Sequence, residues 1–186
     1  MNRYEVLESL IPVIGDELVV CNIGAPSQEL HALYDRPGNF YMLGSMGLAS
    51  SIGLGVALAQ DRPVIAIEGD GAVLTNLATL ATIANQVTDN FVLLIVDNAS
   101  YGSTGDQPTY TGGKTSLAAV ARACGCDHVV EVEAADTAGA LADALAAQRM
   151  TIIVSRCESG NVTVPVIELD PVVIRERFMQ EVRREA

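Results

Sequence analysis

Two short polar motifs carry the chemistry that this sequence suggests. Gly69-Asp70-Gly71 follows the apolar run 64–67, and Asp97-Asn98 follows the run 91–96 with 25 residues between the two motifs. A carboxylate and an amide oxygen are hard ligands that suit Mg²⁺ better than zinc. The glycines beside Asp70 permit unusual backbone angles and let a phosphate come close. The motifs therefore predict a site for a divalent cation and a phosphorylated ligand.

The elements around these motifs must bring them together. Short apolar runs rich in β-branched residues predict strands, and helical patterns lie between them. This alternation indicates an α/β fold, an open, mostly parallel sheet with helices on both faces. Asp70 and Asn98 then follow neighbouring strands about 4.8 Å apart, at the edge where such sheets bind ligands. The predicted strands are 18–21, 64–67, 91–96, 128–132 and 151–155, and the predicted helices are 73–85, 116–123, 136–148 and 171–185.

Two further segments differ from this pattern. Residues 44–59 are rich in Gly and Ser and predict a helix that packs tightly on the sheet or lets another backbone come close. Residues 99–113 predict a long loop with five Gly or Pro residues. Loops of this length inside a compact domain are usually functional, so we interpret the loop as part of a functional surface.

Few basic residues surround the motifs in the sequence. Arg62 is the only Lys or Arg between Arg36 and Lys114, and it lies at the wrong end of its predicted strand. A bound diphosphate would therefore be neutralised by the cation and by backbone N–H groups, including those of the helix expected to begin near Ala72. The Gly-Lys-Thr triplet 113–115 has Pro108 where the P-loop pattern requires its first glycine, which argues against a P-loop. Gly53-Leu54-Gly55 lacks the preceding strand and the third glycine of a dinucleotide fingerprint.

The composition excludes several classes of protein. The 186 residues, 49% hydrophobic and 18% charged, suit a single domain over 1–186. The net charge of −12 argues against nucleic acid and anionic lipid as partners. No apolar run reaches the ~20 residues of a membrane span, and the N-terminus has no secretory signal pattern. Four cysteines without CxxC spacing do not form a disulfide framework, so we expect a cytoplasmic protein.

The two motifs resemble those of the thiamine-diphosphate enzymes, in which a GDG triplet and a later asparagine bind the cofactor. Within that group, the chain resembles the beta subunits of the sulfopyruvate decarboxylase family and the second half of the phosphonopyruvate decarboxylases. The segments that carry the resemblance are 22–30, 40–55, 69–83, 97–109 and 165–178. It implies a thiamine-diphosphate-binding domain with a Rossmann-like three-layer fold, and decarboxylation of a small anionic 2-oxoacid, for the first family in coenzyme M biosynthesis. Many relatives have asparagine in place of Asp97, so the role of Asp97 stays open.

The resemblance also implies roles for particular residues. Asp70, the side-chain oxygen of Asn98 and the carbonyl of Ser100 would bind Mg²⁺. Gly44 would accept a hydrogen bond from the aminopyrimidine amine. Met46 would support the bend of the cofactor between its rings, where a flexible thioether fills an irregular gap. The other expected cofactor contacts are Gly24, Ser27, Ser45, Gly69, Gly71, Ala72, Tyr101, Gly102 and Ser103.

Part of the implied active site lies outside this chain. No glutamate stands out as the group that switches the aminopyrimidine tautomer, since Glu29 lies in a helix-like stretch and Glu68 on a core strand. The resemblance implies that this glutamate comes from a partner alpha subunit with the pyrimidine-binding domain, in a hetero-oligomer. Lys114 and the hydroxyls of Ser103 and Thr104 are the only local candidates for the substrate's anionic head, so the partner is expected to supply most of that recognition. A non-catalytic scaffold subunit is the alternative from another class.

Overall fold

The chain builds a parallel sheet flanked by helices, and the computed structural model describes residues 1–86 and 88–184. The strands are β1 (Leu18–Cys21), β2 (Asn39–Tyr41), β3 (Val64–Gly69), β4 (Phe91–Asp97), β5 (Ser100–Tyr101), β6 (Gln107–Pro108), β7 (Val129–Glu133) and β8 (Thr151–Arg156). The helices are α1 (Arg3–Leu10), α2 (Ala25–Tyr34), α3 (Ala49–Ala57), α4 (Asp70–Thr75), α5 (Ala78–Asn85), α6 (Leu117–Ala123), α7 (Thr137–Ala146) and α8 (Pro171–Arg183). Within the described residues, six strands form one sheet in the order β2-β1-β3-β4-β8-β7, and all neighbours are parallel. The strands β5 and β6 form a separate antiparallel pair.

Apolar side chains are buried on both faces of the sheet. The central strand β4 is buried along its whole length, as expected where helices cover both faces. Successive residues of a strand point to opposite faces, so Val64 and Ala66 join one core cluster while Ile65 and Ile67 join the other. The helices α3, α5 and α6 pack on the first face, and α1, α2 and α7 pack on the second. The predicted α/β fold class is therefore confirmed.

The helix α8 covers the edge of the sheet beside β2. Phe178 packs into one core cluster and Ile174 into the other, and the Phe178 ring lies 5.3 Å from the Phe40 ring. The helix begins at Pro171 as predicted and ends at Arg183, and residue 185 of the prediction lies outside the described residues. None of the helices in the described part of the chain is long and apolar enough to cross a membrane.

Two predicted helices differ from the structure. The helix predicted over 44–59 begins only at Ala49, because Ser45 (φ 60°) and Gly47 (φ 82°) have left-handed backbone angles that a right-handed helix cannot contain. The helix predicted over 73–85 is divided into α4 and α5. The backbone of Asn76 has a φ of −142°, which is not helical and interrupts the helix. Its side-chain amide Nδ2 donates to the Gly47 carbonyl at 2.9 Å. The prediction of 73–85 as one helix is therefore wrong.

Close packing explains the glycine-rich sequence of α3. A Cβ added to Gly53 would lie 3.0 Å from Ala66 Cβ and 3.1 Å from the Phe91 ring. Of the two interpretations of residues 44–59, tight packing on the sheet is therefore correct at this position.

The elements α1, α2 and β2 are not among the strands and helices predicted from the sequence. A three-residue strand such as β2 is too short to show a reliable alternation of apolar and polar residues.

Candidate functional site

A cavity opens at the carboxyl edge of the sheet between β1 and β3. The chain runs from β1 to β2 in one direction and from β3 to β4 in the other, which makes this edge a topological switch point. Open α/β sheets bind ligands at such points. The cavity encloses about 280 Å³. The predicted site residues that line it are Gly24, Met46, Gly69, Asp70, Gly71, Ala72, Asn98, Ser100, Tyr101, Gly102 and Ser103.

Three predicted cofactor contacts lie outside the wall of this cavity. The Ser27 hydroxyl donates towards the carbonyls of Cys21 at 3.1 Å and Asn22 at 2.7 Å, so it stabilises the turn after β1. Gly44 and Ser45 lie in the exposed loop that leads to Met46. Their contacts with a cofactor stay predictions.

Wider grooves elsewhere on the molecule contain none of the predicted residues. One of them, about 670 Å³, lies at the amino ends of β3 and β4 and is lined by polar residues such as Gln60, Asp89 and Arg149. We favour the smaller cavity as the functional site because parallel sheets bind ligands at the carboxyl ends of their strands.

Asp70 and Asn98 lie at the same edge of the sheet. The β3–β4 register pairs Gly69 with Val96, so both residues leave the sheet from neighbouring strands. Both are buried, and both line the cavity. The Asn98 Oδ1 accepts from the Ser100 N–H at 3.2 Å, and Asn98 Nδ2 has no hydrogen-bond partner among the described residues. The two motifs thus contribute to one cavity.

Two threonines contact the Asp70 carboxylate. Thr109 Oγ1 donates to Asp70 Oδ2, and Thr111 Oγ1 lies 3.0 Å from the same oxygen and 2.7 Å from Asp97 Oδ1. The pKa of Asp70 is raised by burial and by the charge of Asp97, although the hydrogen bond from Thr109 lowers it in part. Neither threonine stands out in the sequence, because a Thr-x-Thr pair in a loop carries no specific signal.

Arg3 adds a cation that the sequence analysis does not place at this site. It lines the cavity, and its guanidinium donates from Nε and Nη2 to the buried Glu29 carboxylate at 2.7 and 2.8 Å. Nη2 also donates to Asn161 Oδ1 at 2.7 Å, and Asn161 Nδ2 donates to the Gly102 carbonyl at 2.7 Å. Because the Glu29 carboxylate balances the charge of Arg3, the expectation that a cation and backbone N–H groups neutralise a diphosphate stays a prediction.

Glycines keep the backbone accessible around the cavity. A Cβ added to Gly71 would lie 2.3 Å from Cε1 of Tyr101, so only glycine lets the Tyr101 ring approach the start of α4. Gly24 has a φ of 82° just before α2, and a Cβ there would lie 3.1 Å from Ser103 Oγ. These close approaches bring three separate chain segments together around the same cavity.

The two buried glutamates near the site have structural partners. Glu68 Oε1 accepts from the Ser50 N–H at 3.0 Å and from the Ser50 hydroxyl at 3.3 Å, in the first turn of α3. Burial raises the pKa of Glu68 to about 7, although the bonds from Ser50 lower it. Glu29 pairs with Arg3. Neither carboxylate belongs to the residues that line the cavity.

Asp70 is the single acidic residue among those that line the cavity. Among the residues that the structure describes, no cluster of three or more His, Cys, Asp or Glu side chains could hold a metal ion. A cation at this edge would therefore be held by Asp70 together with amide and carbonyl oxygens. This is the donor set that Mg²⁺ accepts, with water and phosphate oxygens completing its shell.

The fold agrees with a comparison to known proteins. Residues 22–155 match the family model described as the C-terminal TPP binding domain of thiamine pyrophosphate enzymes. The solved structure of a thiamine diphosphate-dependent 4-hydroxybenzoylformate decarboxylase from Rhodococcus jostii has a TM-score of 0.69 over 85% of this chain and 33% of that chain. With 21% sequence identity, this likeness shows the fold alone. The class that fold and site define is a thiamine-diphosphate-binding domain.

Two curated relatives define the family more closely. The sulfopyruvate decarboxylase subunit beta of Methanococcus maripaludis is 46% identical over 184 residues, 99% of each chain. The phosphonopyruvate decarboxylase of Streptomyces viridochromogenes is 42% identical over 153 residues, which are 81% of this chain and 38% of that longer protein. The chain therefore belongs to the thiamine-diphosphate enzymes and, within them, to the family of sulfopyruvate decarboxylase beta subunits.

Proposed function

We propose that this chain is the cofactor-binding subunit of a thiamine-diphosphate-dependent sulfopyruvate decarboxylase, which forms sulfoacetaldehyde and CO₂. The observation that carries the proposal is that Asp70 and Asn98 line one cavity at the topological switch point. Identity over nearly the full length to a protein named sulfopyruvate decarboxylase subunit beta supports the substrate. When bound, the cofactor supplies a carbanion and then an electron sink for the loss of CO₂. In this proposal residues 1–186 form a single domain.

The cation in this proposal is Mg²⁺, held by Asp70, Asn98 Oδ1 and the Ser100 carbonyl. All three residues line the cavity, and all three donors are hard oxygens. Two buried side-chain atoms of the cavity wall, Asn22 Oδ1 and Asn98 Nδ2, have no hydrogen-bond partner among the described residues. Buried polar atoms are nearly always paired in folded proteins, so these two support a polar ligand in the cavity.

The remaining contacts in this proposal come from loops around the cavity. Met46 lines the cavity and would support the bend of the cofactor, and the Gly44 carbonyl would accept from its aminopyrimidine. Ser27 and Ser45 would lie close to the bound cofactor. The backbone groups proposed to face the diphosphate belong to Gly24, Gly69, Gly71, Ala72, Tyr101, Gly102 and Ser103.

A second subunit completes the proposed active site. The relative's name, subunit beta, implies another subunit, and the matched phosphonopyruvate decarboxylase carries the same domain within a longer chain. Apolar side chains are exposed along residues 43–52, the stretch that contains the cavity-lining Met46, with Leu43 57%, Met46 40%, Leu48 39% and Ile52 36% exposed. We call these four residues the mouth patch. An apolar patch beside a binding site favours a protein partner there, and the proposal assigns it to an alpha subunit with the pyrimidine-binding domain and its glutamate.

Calorimetry on the assembled complex tests the cation site. The chain is co-purified with the alpha subunit, and thiamine diphosphate is titrated with and without Mg²⁺. Asp70→Asn removes a buried charged ligand, so we expect Mg²⁺-dependent binding to weaken by at least about a hundredfold while the complex stays assembled. Asp143→Asn, on the exposed face of α7, is the matched control and binds like the wild type.

The same complex separates the rival functions. CO₂ release is measured from sulfopyruvate and from phosphonopyruvate, with and without Mg²⁺. The proposal expects faster release from sulfopyruvate and little release without the cation. Faster turnover of phosphonopyruvate would favour the other matched family. A complex that binds no thiamine diphosphate in the presence of Mg²⁺ would favour the scaffold alternative.

A further inference from the structure

Four buried side chains form a hydrogen-bonded cluster beside the proposed cation site. Asp70, Asp97, Thr109 and Thr111 are each at most 5% exposed. Thr109 Oγ1 donates to Asp70 Oδ2 and lies 2.8 Å from Thr111 Oγ1, which is 2.7 Å from Asp97 Oδ1. We call this cluster the threonine clamp. We propose that Thr109, Thr111 and Asp97 are positioning residues that hold all three proposed Mg²⁺ ligands in place, an inference that rests on the proposed function.

The clamp restrains the rotation of the Asp70 carboxylate. The terminal torsion of an aspartate side chain is broad, so the side chain does not by itself choose which oxygen faces the cavity. Both threonine hydroxyls contact Oδ2, the oxygen that Thr109 hydrogen-bonds. Oδ1 is therefore the oxygen left for the cation. Partners of this kind fix the orientation of a ligand before the metal arrives.

The clamp also fixes the turn that carries the other two ligands. Ala99 lies between Asn98 and Ser100 and has a left-handed φ of 53°, which costs energy for a residue with a Cβ. Its N–H donates to Asp97 Oδ1 at 3.1 Å, and its carbonyl accepts from the Thr109 N–H at 3.0 Å. Two members of the clamp thus hold the Ala99 peptide groups on either side of the strained residue.

These contacts give Asp97 and Thr109 different positioning roles. Each hydroxyl has one proton, and the Thr111 proton belongs to Asp97, the nearer of its two carboxylates. The hydrogen bond to Asp70 then depends on Thr109, which connects the carboxylate to the Ala99 turn through a single residue. Asp97 anchors both Thr111 and the Ala99 N–H, which explains why a carboxylate can stand at this position.

Thr109→Val in the assembled complex tests the inference, since valine keeps the shape and removes the hydroxyl. We expect the Mg²⁺ concentration that half-saturates thiamine diphosphate binding, measured by calorimetry, to rise about tenfold to a hundredfold. At saturating Mg²⁺ both the amount of cofactor bound and kcat return to within a few-fold of the wild type. Thr109→Ser keeps the hydroxyl and is expected to restore most of the Mg²⁺ affinity.

Thr137→Val is the matched control for loss of a buried hydroxyl. Thr137 is fully buried at the start of α7, and its hydroxyl contacts the Ala134 carbonyl and the Ser155 hydroxyl, away from the cavity. The Thr137→Val variant is expected to lower the melting temperature and to leave the Mg²⁺ dependence of cofactor binding unchanged. If Thr109→Val does not assemble, Thr111→Val removes the hydroxyl that contacts Asp97 and leaves the Thr109–Asp70 hydrogen bond, and a smaller rise in the same Mg²⁺ concentration, of at least about a few-fold, is expected.

The outcomes separate this inference from the proposed function. A wild-type complex without Mg²⁺-dependent cofactor binding overturns the proposed function and this inference with it. A wild-type complex that binds as proposed, with valine variants of unchanged Mg²⁺ affinity, overturns the inference alone. A serine variant as weak as the valine variant also overturns it, because the effect then does not follow the hydroxyl.

Discussion

At the scale of single residues, the space around position 71 requires glycine as much as its expected contact with a phosphate does. From the sequence, Gly71 is expected to let a phosphate come close, and the structure shows a second reason for glycine. The Tyr101 ring lies where a Cβ of residue 71 would be, at 2.3 Å from Cε1 and 2.7 Å from Cδ1. Because Tyr101 belongs to the loop after Asn98, this contact joins that loop to the start of α4. Gly71 is therefore needed to close the cavity wall.

Gly71→Ala is expected to destabilise the protein. The added methyl group must displace the Tyr101 ring, and overpacking of this kind costs about 1–3 kcal/mol in the free energy of unfolding. Urea unfolding measures the change. Gly139→Ala in α7 is the control, since an added Cβ there meets nothing within 4 Å, and it is expected to stabilise by about 0.5–1 kcal/mol. Equal stability of the two variants would contradict this account.

At the scale of elements, an ion pair fastens α8 to the body of the domain. Arg177 Nη1 donates to Asp35 Oδ2 at 3.0 Å, and the Tyr41 hydroxyl donates to Asp35 Oδ1 at 2.9 Å. Burial by itself would raise the pKa of Asp35, but the hydrogen bonds from Arg177 and Tyr41 outweigh it and the pKa is lowered. The lowered pKa means that folding favours the ionised carboxylate.

Asp35→Asn is expected to weaken this attachment in a pH-dependent way. A lowered pKa in the folded state gives stability that is present above the unfolded value of 3.8 and is lost as the pH falls through the folded pKa. For a half-exposed pair we expect the wild type to exceed the variant by about 0.5–1 kcal/mol at pH 7, with the difference vanishing in acid below pH 3.8. Urea unfolding at several pH values measures it. Glu176→Gln, which breaks the exposed Arg175–Glu176 pair, is the control and should change stability little at any pH.

At the scale of the whole molecule, the apolar mouth patch requires an explanation. The chain has a net charge of −12, yet four large apolar side chains are exposed along residues 43–52, a short stretch that includes the cavity-lining Met46. Scattered apolar residues on a surface are ordinary, but four exposed ones within ten residues of the chain, one of them lining a ligand site, favour an interface. The proposed function assigns this surface to the alpha subunit, which would also exclude water from the cavity.

Leu43→Glu is expected to weaken assembly with the alpha subunit. A charge buried within an apolar interface loses its hydration, so we expect the dissociation constant of the complex to rise at least about tenfold. Analytical ultracentrifugation or co-purification measures the change. Val172→Glu, on an equally exposed side chain of α8, is the control and should assemble like the wild type. Unchanged assembly of Leu43→Glu would show that the partner binds elsewhere.

The sequence by itself determined the class of fold and the position of the two motifs. Strand and helix periods are local properties, and parallel strands bring their carboxyl ends to one edge. The spacing from Asp70 to Asn98 therefore predicts their common cavity without any long-range contact. The left-handed angle of Ser45 has no comparable signal, because serine normally avoids that region, and so the start of α3 is predicted too early.

Only the tertiary structure decided which distant residues surround the site. Arg3 donates a hydrogen bond to Asn161, although all the strands of the sheet come between these two residues in the sequence. Thr109 donates to Asp70 from a loop that follows the next strand. Such contacts depend on how helices and loops pack after the strands have formed. Single polar residues far apart in the chain leave no periodic trace in the sequence. For that physical reason, the sequence alone could indicate the ligands of the proposed cation but not the residues that hold them.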